Sequence, residues 1–314
     1  MAIGDPPRSG RPLSSPPPRP ASSVRPASLP DGSRPPLSHA SLPGREFAFT
    51  DADFERIRKL IHAHAGIALS PAKQDMVYSR LARRLRACGD RTFAEYLLRL
   101  DRDRGEWEIF VNSLTTNLTS FFREAHHFDL LAERLRRVAE KRTIRIWCNA
   151  ASTGEEPYSL AITACEAFDS LTPPVQIIAS DIDTHVLAQA ARGLYRQDRL
   201  ERVSAERVRR YFVAGPEHGE WCVRPELQRL LSFRRINLLD PIWPVQGPLD
   251  AIFCRNVMIY FDKPTQYAIL KRFVPLLRKD GALFAGHSES FLHAVDLFRS
   301  MGRTVYQRLD ADAV

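Results

Sequence analysis

Residues 150 to 159 read AASTGEEPYS, a single glycine followed at once by two carboxylates, and they lie between an apolar strand-like run and a helical one. In open α/β sheets ligands bind beyond the carboxyl ends of the strands, where a strand turns into its helix. A nucleotide pyrophosphate there would require GxGxxG, so that the backbone can approach and its amides can cradle the anion. Gly154 alone does not meet that need, and two acids after it repel a phosphate. A cationic ligand suits the charge better, and the sulfonium and ammonium of S-adenosylmethionine would be attracted by Glu155 or Glu156. The next apolar run ends in Ser180, Asp181, Ile182 and Asp183. An acid at the tip of a second strand can accept both ribose hydroxyls. Carboxylates after strands also cap helices, a reading that weighs more for Asp183, ahead of Thr184 and His185, than for Asp181.

Three further segments carry dense polar groups beside apolar or aromatic runs: TTNLTSFFRE (115 to 124), INLLD (236 to 240) and FCRNVMIYFD (253 to 262). Taken singly, each has a structural reading, with amides capping helices and arginines pairing surface acids. His126 and His127 are adjacent, so on a helix they point about 100° apart and cannot share a face as metal ligands do. The five cysteines show no CxxC and no paired spacing, which indicates neither zinc nor a disulfide framework. No metal is expected.

The elements that must position these groups fall into two textures. Thr50 and Asp53 form a capping box ahead of Phe54, Ile57, Leu60 and Ile61. Ser70 and Pro71 read as an N-cap and first helical residue, followed by Val77, Leu81, Leu85 and Cys88 at helical spacing until Gly89. More helix follows, so residues 46 to 135 are expected to be an all-helical domain. From Thr143 short apolar runs alternate with helical stretches, the pattern of a doubly wound α/β sheet filling 136 to 314. A more polar stretch at about 193 to 237 is expected to be an inserted subdomain of short strands. No internal repeat is present.

Residues 1 to 44 hold 12 of the 23 prolines and few large apolar side chains, so a disordered Pro/Ser/Arg-rich tail is expected over 1–45. The 45 Lys and Arg against 37 Asp and Glu leave +8, a modest basic excess that favours acidic partners without implying nucleic acid. The start lacks an apolar stretch of about 7–15 residues and no run of about 18 occurs, so a soluble cytoplasmic protein without membrane insertion is expected.

Together, TTNLTSFFREAHHF, AASTGEEPYS, ASDIDT, INLL and FCRNVMIYFD, with GHSES downstream, resemble the CheR family of chemoreceptor glutamate methyltransferases from about Phe47 to Tyr306. The resemblance implies a Rossmann-like class I methyltransferase domain with a small inserted β-subdomain behind an all-helical domain, S-adenosylmethionine as methyl donor, and chemoreceptor cytoplasmic helical domains as partners; a monomer is expected. It implies that Asn117, Thr119 and Arg123 line the cofactor site from the linker, that Glu156 takes the methionine moiety and Asp181 the ribose. Asn237 and Leu238 would border the adenine, Arg255 and Asn256 would close the pocket, and Tyr260 would lie near the transferred methyl. Arg123, whose guanidinium can grip a carboxylate in a fork, is also expected to orient the substrate carboxylate. Two rivals are a methyltransferase-like scaffold that only binds receptors, and an O-methyltransferase for a small carboxylic acid.

On the helix after Pro71, Lys73, Arg80, Arg83, Arg84 and Arg86 spread over a wide arc opposite the apolar stripe. The matching helix of the family is thought to meet the acidic methylation region of receptors, so Arg80, Arg83, Arg84 and Arg86 are expected to bind receptor and to contribute nothing to the cofactor pocket. Some family members dock a receptor peptide on the β-subdomain by strand addition. Pro225, placed where a strand would continue, argues against that here.

Overall fold

The computed structural model describes residues 45–138 and 142–309. The proline-rich tail therefore lies almost wholly outside the described residues.

Helix α1 (Asp51–Ala65) starts at the reciprocal box in which Thr50 accepts from the Asp53 amide and Asp53 from the Thr50 amide, and it stops at Gly66, φ 69°. Ser70 does not cap. A 3-10 turn over Pro71–Lys73 intervenes before α2 (Gln74–Cys88), which ends at left-handed Gly89. Helices α3 (Phe93–Leu100) and α4 (Arg104–Leu114) complete a bundle whose core includes Phe54, Ile61, Leu81, Tyr96 and Phe110.

Helix α5 (His126–Arg137) corrects the expected boundary at 135. Its Phe128, Leu131 and Leu135 pack into the core of the sheet domain, so the helical domain ends near Leu114. Periodicity reveals a buried stripe but not which core receives it.

The sheet domain continues with β1 (Ile144–Cys148), α6 (Glu155–Phe168), β2 (Val175–Asp181) and α7 (Thr184–Arg192). The inserted sheet has β3 (Leu194–Arg196), helix α8 (Ala205–Tyr211), β4 (Phe212–Ala214) and β5 (Glu220–Val223), in the antiparallel order β3-β5-β4. Two expectations change here. The subdomain closes by Val223, because β6 (Leu231–Arg235), assigned to it from polarity, pairs in parallel with β2 as the edge of the main sheet. Pro225 begins the short helix α9 (Pro225–Gln228), where a proline at the first turn costs no ladder bond, so the argument it made against strand addition falls away.

Strand β7 (Leu249–Cys254), helix α10 (Lys263–Phe273) and strands β8 (Leu277–Ala285), β9 (Phe298–Ser300) and β10 (Val305–Arg308) finish a seven-stranded sheet of order β6-β2-β1-β7-β8-β10-β9. The first five are parallel. Alternation sends Ala251 and Phe253 into one core with α5 and α6, and Ile252 and Cys254 into the other with α10. Both faces are thus covered, and only the strand tips are left to build a site. Among the described residues no helix is long and apolar enough to cross a membrane.

Candidate functional site

One cavity, continuous with solvent, opens at the carboxyl ends of β6, β2, β1 and β7. Ala65 and Ile67 of the helical domain and the linker after α4 form its roof. Two bonds fix that roof, from Ala68 N to the Tyr260 carbonyl (2.9 Å) and from Asn237 Nδ2 to the His64 carbonyl (2.6 Å). Asn117, Thr119, Arg123, Glu156, Asp181, Asn237, Leu238, Arg255, Asn256 and Tyr260 all line this one space. Five sequence segments separated by up to about half the chain converge there.

The turn after β1 explains its shape. Ser152 takes φ 48° and Gly154 φ 99°, which starts α6 with Glu155 and Glu156 in its first turn. A Cβ on Gly154 would lie 2.5 Å from the Tyr195 hydroxyl, so the tight turn needs glycine. Its two acids part company. Glu155 turns away to Arg199 of the inserted subdomain (Nε, 3.0 Å). Glu156 faces the cavity and accepts from Arg255 Nη1 (2.7 Å) and the Cys148 thiol (3.3 Å). Burial pushes the Glu156 carboxyl up, against the pull of Arg255. Arg255 also reaches Glu124 (3.3 Å) and the Arg123 carbonyl (2.5 Å). Burial raises Glu124 too, but Arg255 and the His287 amide outweigh it and leave the group below the usual range.

At the tip of β2, Asp181 accepts from the amides of Ser152 (2.9 Å) and Asp183 (3.0 Å). Burial pushes it up to about 6, the amides pulling back. Asp183 does cap α7, through Oδ1, while Oδ2 holds Asn117 Nδ2 and Thr115 Oγ1, each at 2.8 Å. The Asn117 amide is therefore committed to the linker, and the Asn237 amide likewise to His64 and the Leu239 amide. Asn117 thus has both amide hydrogens engaged, whereas Asn237 donates one of its two to His64. Arg123, half-exposed at the mouth, is steadied by the Leu118 carbonyl (2.9 Å).

Glu289 carries a role that motif reading left unassigned. Its buried carboxylate accepts from four amides, Gly286 (2.5 Å), Asn256 (2.9 Å), Val257 (2.9 Å) and Met258 (2.7 Å), and so holds the loop after β7 against the cavity. A Cβ on Gly286 would stand 2.4 Å from Asn256 Nδ2, which accounts for the glycine. GHSES was visible as a motif, but no local pattern says which of its residues faces inward.

The basic arc on α2 is not one free surface. Arg84 forks Glu106 (2.9 and 2.6 Å), which also takes the Tyr96 hydroxyl (2.8 Å), and Arg80 donates to the carbonyls of Ser113 (3.2 Å) and Thr115 (2.5 Å). Arg80 therefore supports the linker that lines the cavity, contrary to expectation. Arg83 is exposed, and Arg86 lies 3.1 Å from exposed Glu46. His127 is buried against the Arg303 carbonyl (2.9 Å) and Thr304 Oγ1 (3.0 Å), and burial pushes it down to about 4.

Apolar walls with buried carboxylates and no glycine-rich anion cradle fit a cationic, diol-bearing ligand. Asp181 makes a direct prediction. If its ionised form binds the diol, affinity for S-adenosylhomocysteine falls about tenfold between pH 7 and pH 5, since a group titrating near 6 is mostly protonated at the lower value. Stability moves the other way. A raised carboxyl destabilises the fold as pH climbs from about 4 through 6, so the unliganded protein gains from Asp181 protonation on acidification. In Asp181→Ala, affinity is lower by about 10- to 100-fold at pH 7 and the pH slope disappears, as titration calorimetry would read.

The family described as CheR methyltransferase, SAM binding domain, matches residues 117–307, and the CheR methyltransferase all-alpha domain matches residues 52–115. Chemotaxis protein methyltransferase 2 of Pseudomonas aeruginosa is 55% identical over 265 residues, spanning 83% of this chain and 95% of that one. The chemotaxis protein methyltransferases of Salmonella typhimurium and Escherichia coli are each 52% identical, over 83% and 82% of this chain and 92% and 91% of their own.

Proposed function

This chain belongs to the CheR methyltransferase family, S-adenosylmethionine-dependent enzymes, and from that premise we propose that it methylates glutamate side chains of chemoreceptor cytoplasmic helices. The observation that carries the reading is the convergence of Glu156, Asp181, Arg255 and Arg123 on one cavity, with the Arg123 side chain about a third exposed among otherwise buried charged groups. The bound donor supplies an electrophilic methyl on a positively charged sulfur.

The protein's own task is placement. A glutamate with a pKa near 4.3 is already ionised at neutral pH, so no base is needed to make the nucleophile. With the donor held by Glu156 and Asp181, this oxygen would take the methyl as the S–CH3 pair returned to sulfur, so that the anionic oxygen and cationic sulfur would neutralise one another. Arg123 grips the second carboxylate oxygen and aims the first. Correct alignment contributes about 7 to 11 kcal/mol. Tyr260 lines the wall beside this path, with its backbone held by Ala68.

Purified enzyme, labelled donor and receptor cytoplasmic fragments test the proposal. The label should transfer and leave as methanol in mild base, as a methyl ester does. Label that is stable to base, or that enters small carboxylic acids and not receptor, would end it.

Arg83 with Arg86 is the remaining candidate for receptor attraction, since exposed pairs such as Arg86 with Glu46 exchange readily. Replacing both with alanine is expected to raise the receptor KM severalfold at low salt and little at 1 M, where the Debye length is about 3 Å. Cofactor affinity should not change.

A further inference from the structure

Asn149 is the residue on which β1 runs out, and it lines the cavity between the turn that carries Glu156 and the loop that carries Asn256. Its amide still belongs to the sheet, donating to the Phe253 carbonyl at 3.1 Å. Strand alternation turns Cys148 toward Glu156, as the thiol bond shows, and sends Asn149 to the opposite side, where the Cys254 thiol lies beside it.

Only 3% of Asn149 is exposed, yet by distance and angle neither its Nδ2 nor its Oδ1 has a hydrogen-bond partner among the described residues, and the one polar side chain that interacts with it is the Cys254 thiol. A thiol is a weak partner at best. The other two asparagine side chains contributed by the linker and by β6 are spent on protein groups, so they set no precedent for an idle amide. A buried primary amide left unpaired destabilises the fold, a cost that an apolar residue of similar volume would avoid. Such a cost is sustained where a ligand supplies the missing partners.

We infer that Asn149 is a cofactor-binding residue whose amide hydrogen-bonds the methyl donor and its demethylated product. This rests on the proposed methyltransferase reading of the cavity. Because the side chain is almost wholly buried below the mouth, it meets the molecule that fills the cavity rather than the carboxylate arriving at Arg123.

The experiment measures S-adenosylhomocysteine affinity by calorimetry and thermal stability without ligand, for the intact chain and for Asn149→Ala and Asn149→Leu. Both variants are expected to bind about 5- to 20-fold more weakly, while the unliganded variants melt at or above the wild-type temperature, since each removes an unsatisfied buried group. Two substitutions separate chemistry from volume. If Leu retains wild-type affinity and only Ala loses it, Asn149 merely fills space and the inference is overturned. Unchanged affinity in both, or a loss of affinity matched by a drop in the unliganded melting temperature, overturns it as well. Wild-type protein that fails to bind the product would sink the methyltransferase reading itself, whereas wild-type binding with indifferent variants sinks only the role of Asn149.

Discussion

Arg255→Ala is expected to lose about 3–5 kcal/mol of folding stability and all measurable S-adenosylhomocysteine binding at neutral pH. The guanidinium is 3% exposed and stands between two carboxylates, Glu156 at 2.7 Å and Glu124 at 3.3 Å, while holding the Arg123 carbonyl at 2.5 Å. Removing it strands two negative charges in a place with little water. The charges respond by taking up protons, so the deficit relative to wild type should shrink as pH falls from 8 to 5.5. That sign follows because Arg255 pulls both carboxyls down: without it each titrates higher, so the variant takes up protons at a pH where the wild type has not and recovers stability there. Arg255→Lys should recover part of the stability but little affinity, since one ammonium cannot span Glu156, Glu124 and a carbonyl. Urea unfolding at the two pH values, beside calorimetry, reads all of this. A variant as stable as wild type at pH 8 would show that the ion pairs around Arg255 are dispensable.

Glu289→Gln removes a single charge at constant shape, and a loss of about 2–4 kcal/mol is expected. Four amides from Gly286, Asn256, Val257 and Met258 converge on the carboxylate. A glutamine keeps one acceptor oxygen and turns an NH2 toward donors, so roughly half of those amides lose their partner inside a buried loop. Asn256 and Val257 line the cavity, so product affinity should fall with stability. Glu106→Gln makes the comparison specific. Glu106 is an equally buried acid, forked by Arg84 in the helical bundle, where burial raises the carboxyl and Arg84 and Tyr96 bring it below its usual range. That variant should lose stability on chemical denaturation while retaining product affinity. Equal losses of affinity in both variants would mean that binding tracks general stability, and the positioning role of Glu289 would be abandoned.

The site was legible to the extent that polar residues cluster where apolar periodicity breaks off. A carboxylate pair after one glycine, an acid ending a second strand, and amide- or arginine-bearing segments after the linker, β6 and β7 are local signals, because chain order dictates which residues sit at strand tips. What each side chain does there was not legible. Asn117 and Asn237 line the wall with their amides already committed, and Asp183 both caps a helix and ties down the linker. Glu289 lay inside GHSES without an assigned role and Asn149 gave no motif of its own, since one works through backbone amides and the other lacks a well-formed protein hydrogen bond.

By itself the sequence determined the capping box at Thr50, the glycine stop at Gly89, the alternation of strand and helix after Thr143, and the absence of a phosphate-type glycine loop. These are consequences of backbone sterics and of periods of 3.6 and 2, which act over a few residues. Tertiary structure alone decided that α5 leaves the helical bundle for the sheet, that β6 pairs with β2, that Glu156 rather than Glu155 reaches the cavity, and that Arg80 and Arg84 turn inward. An apolar stripe, a short strand or a charge looks the same in sequence whichever partner it meets, and the partner lies tens of residues away. The choice is made by which pairing leaves the fewest buried groups unsatisfied, a property of the whole packed chain.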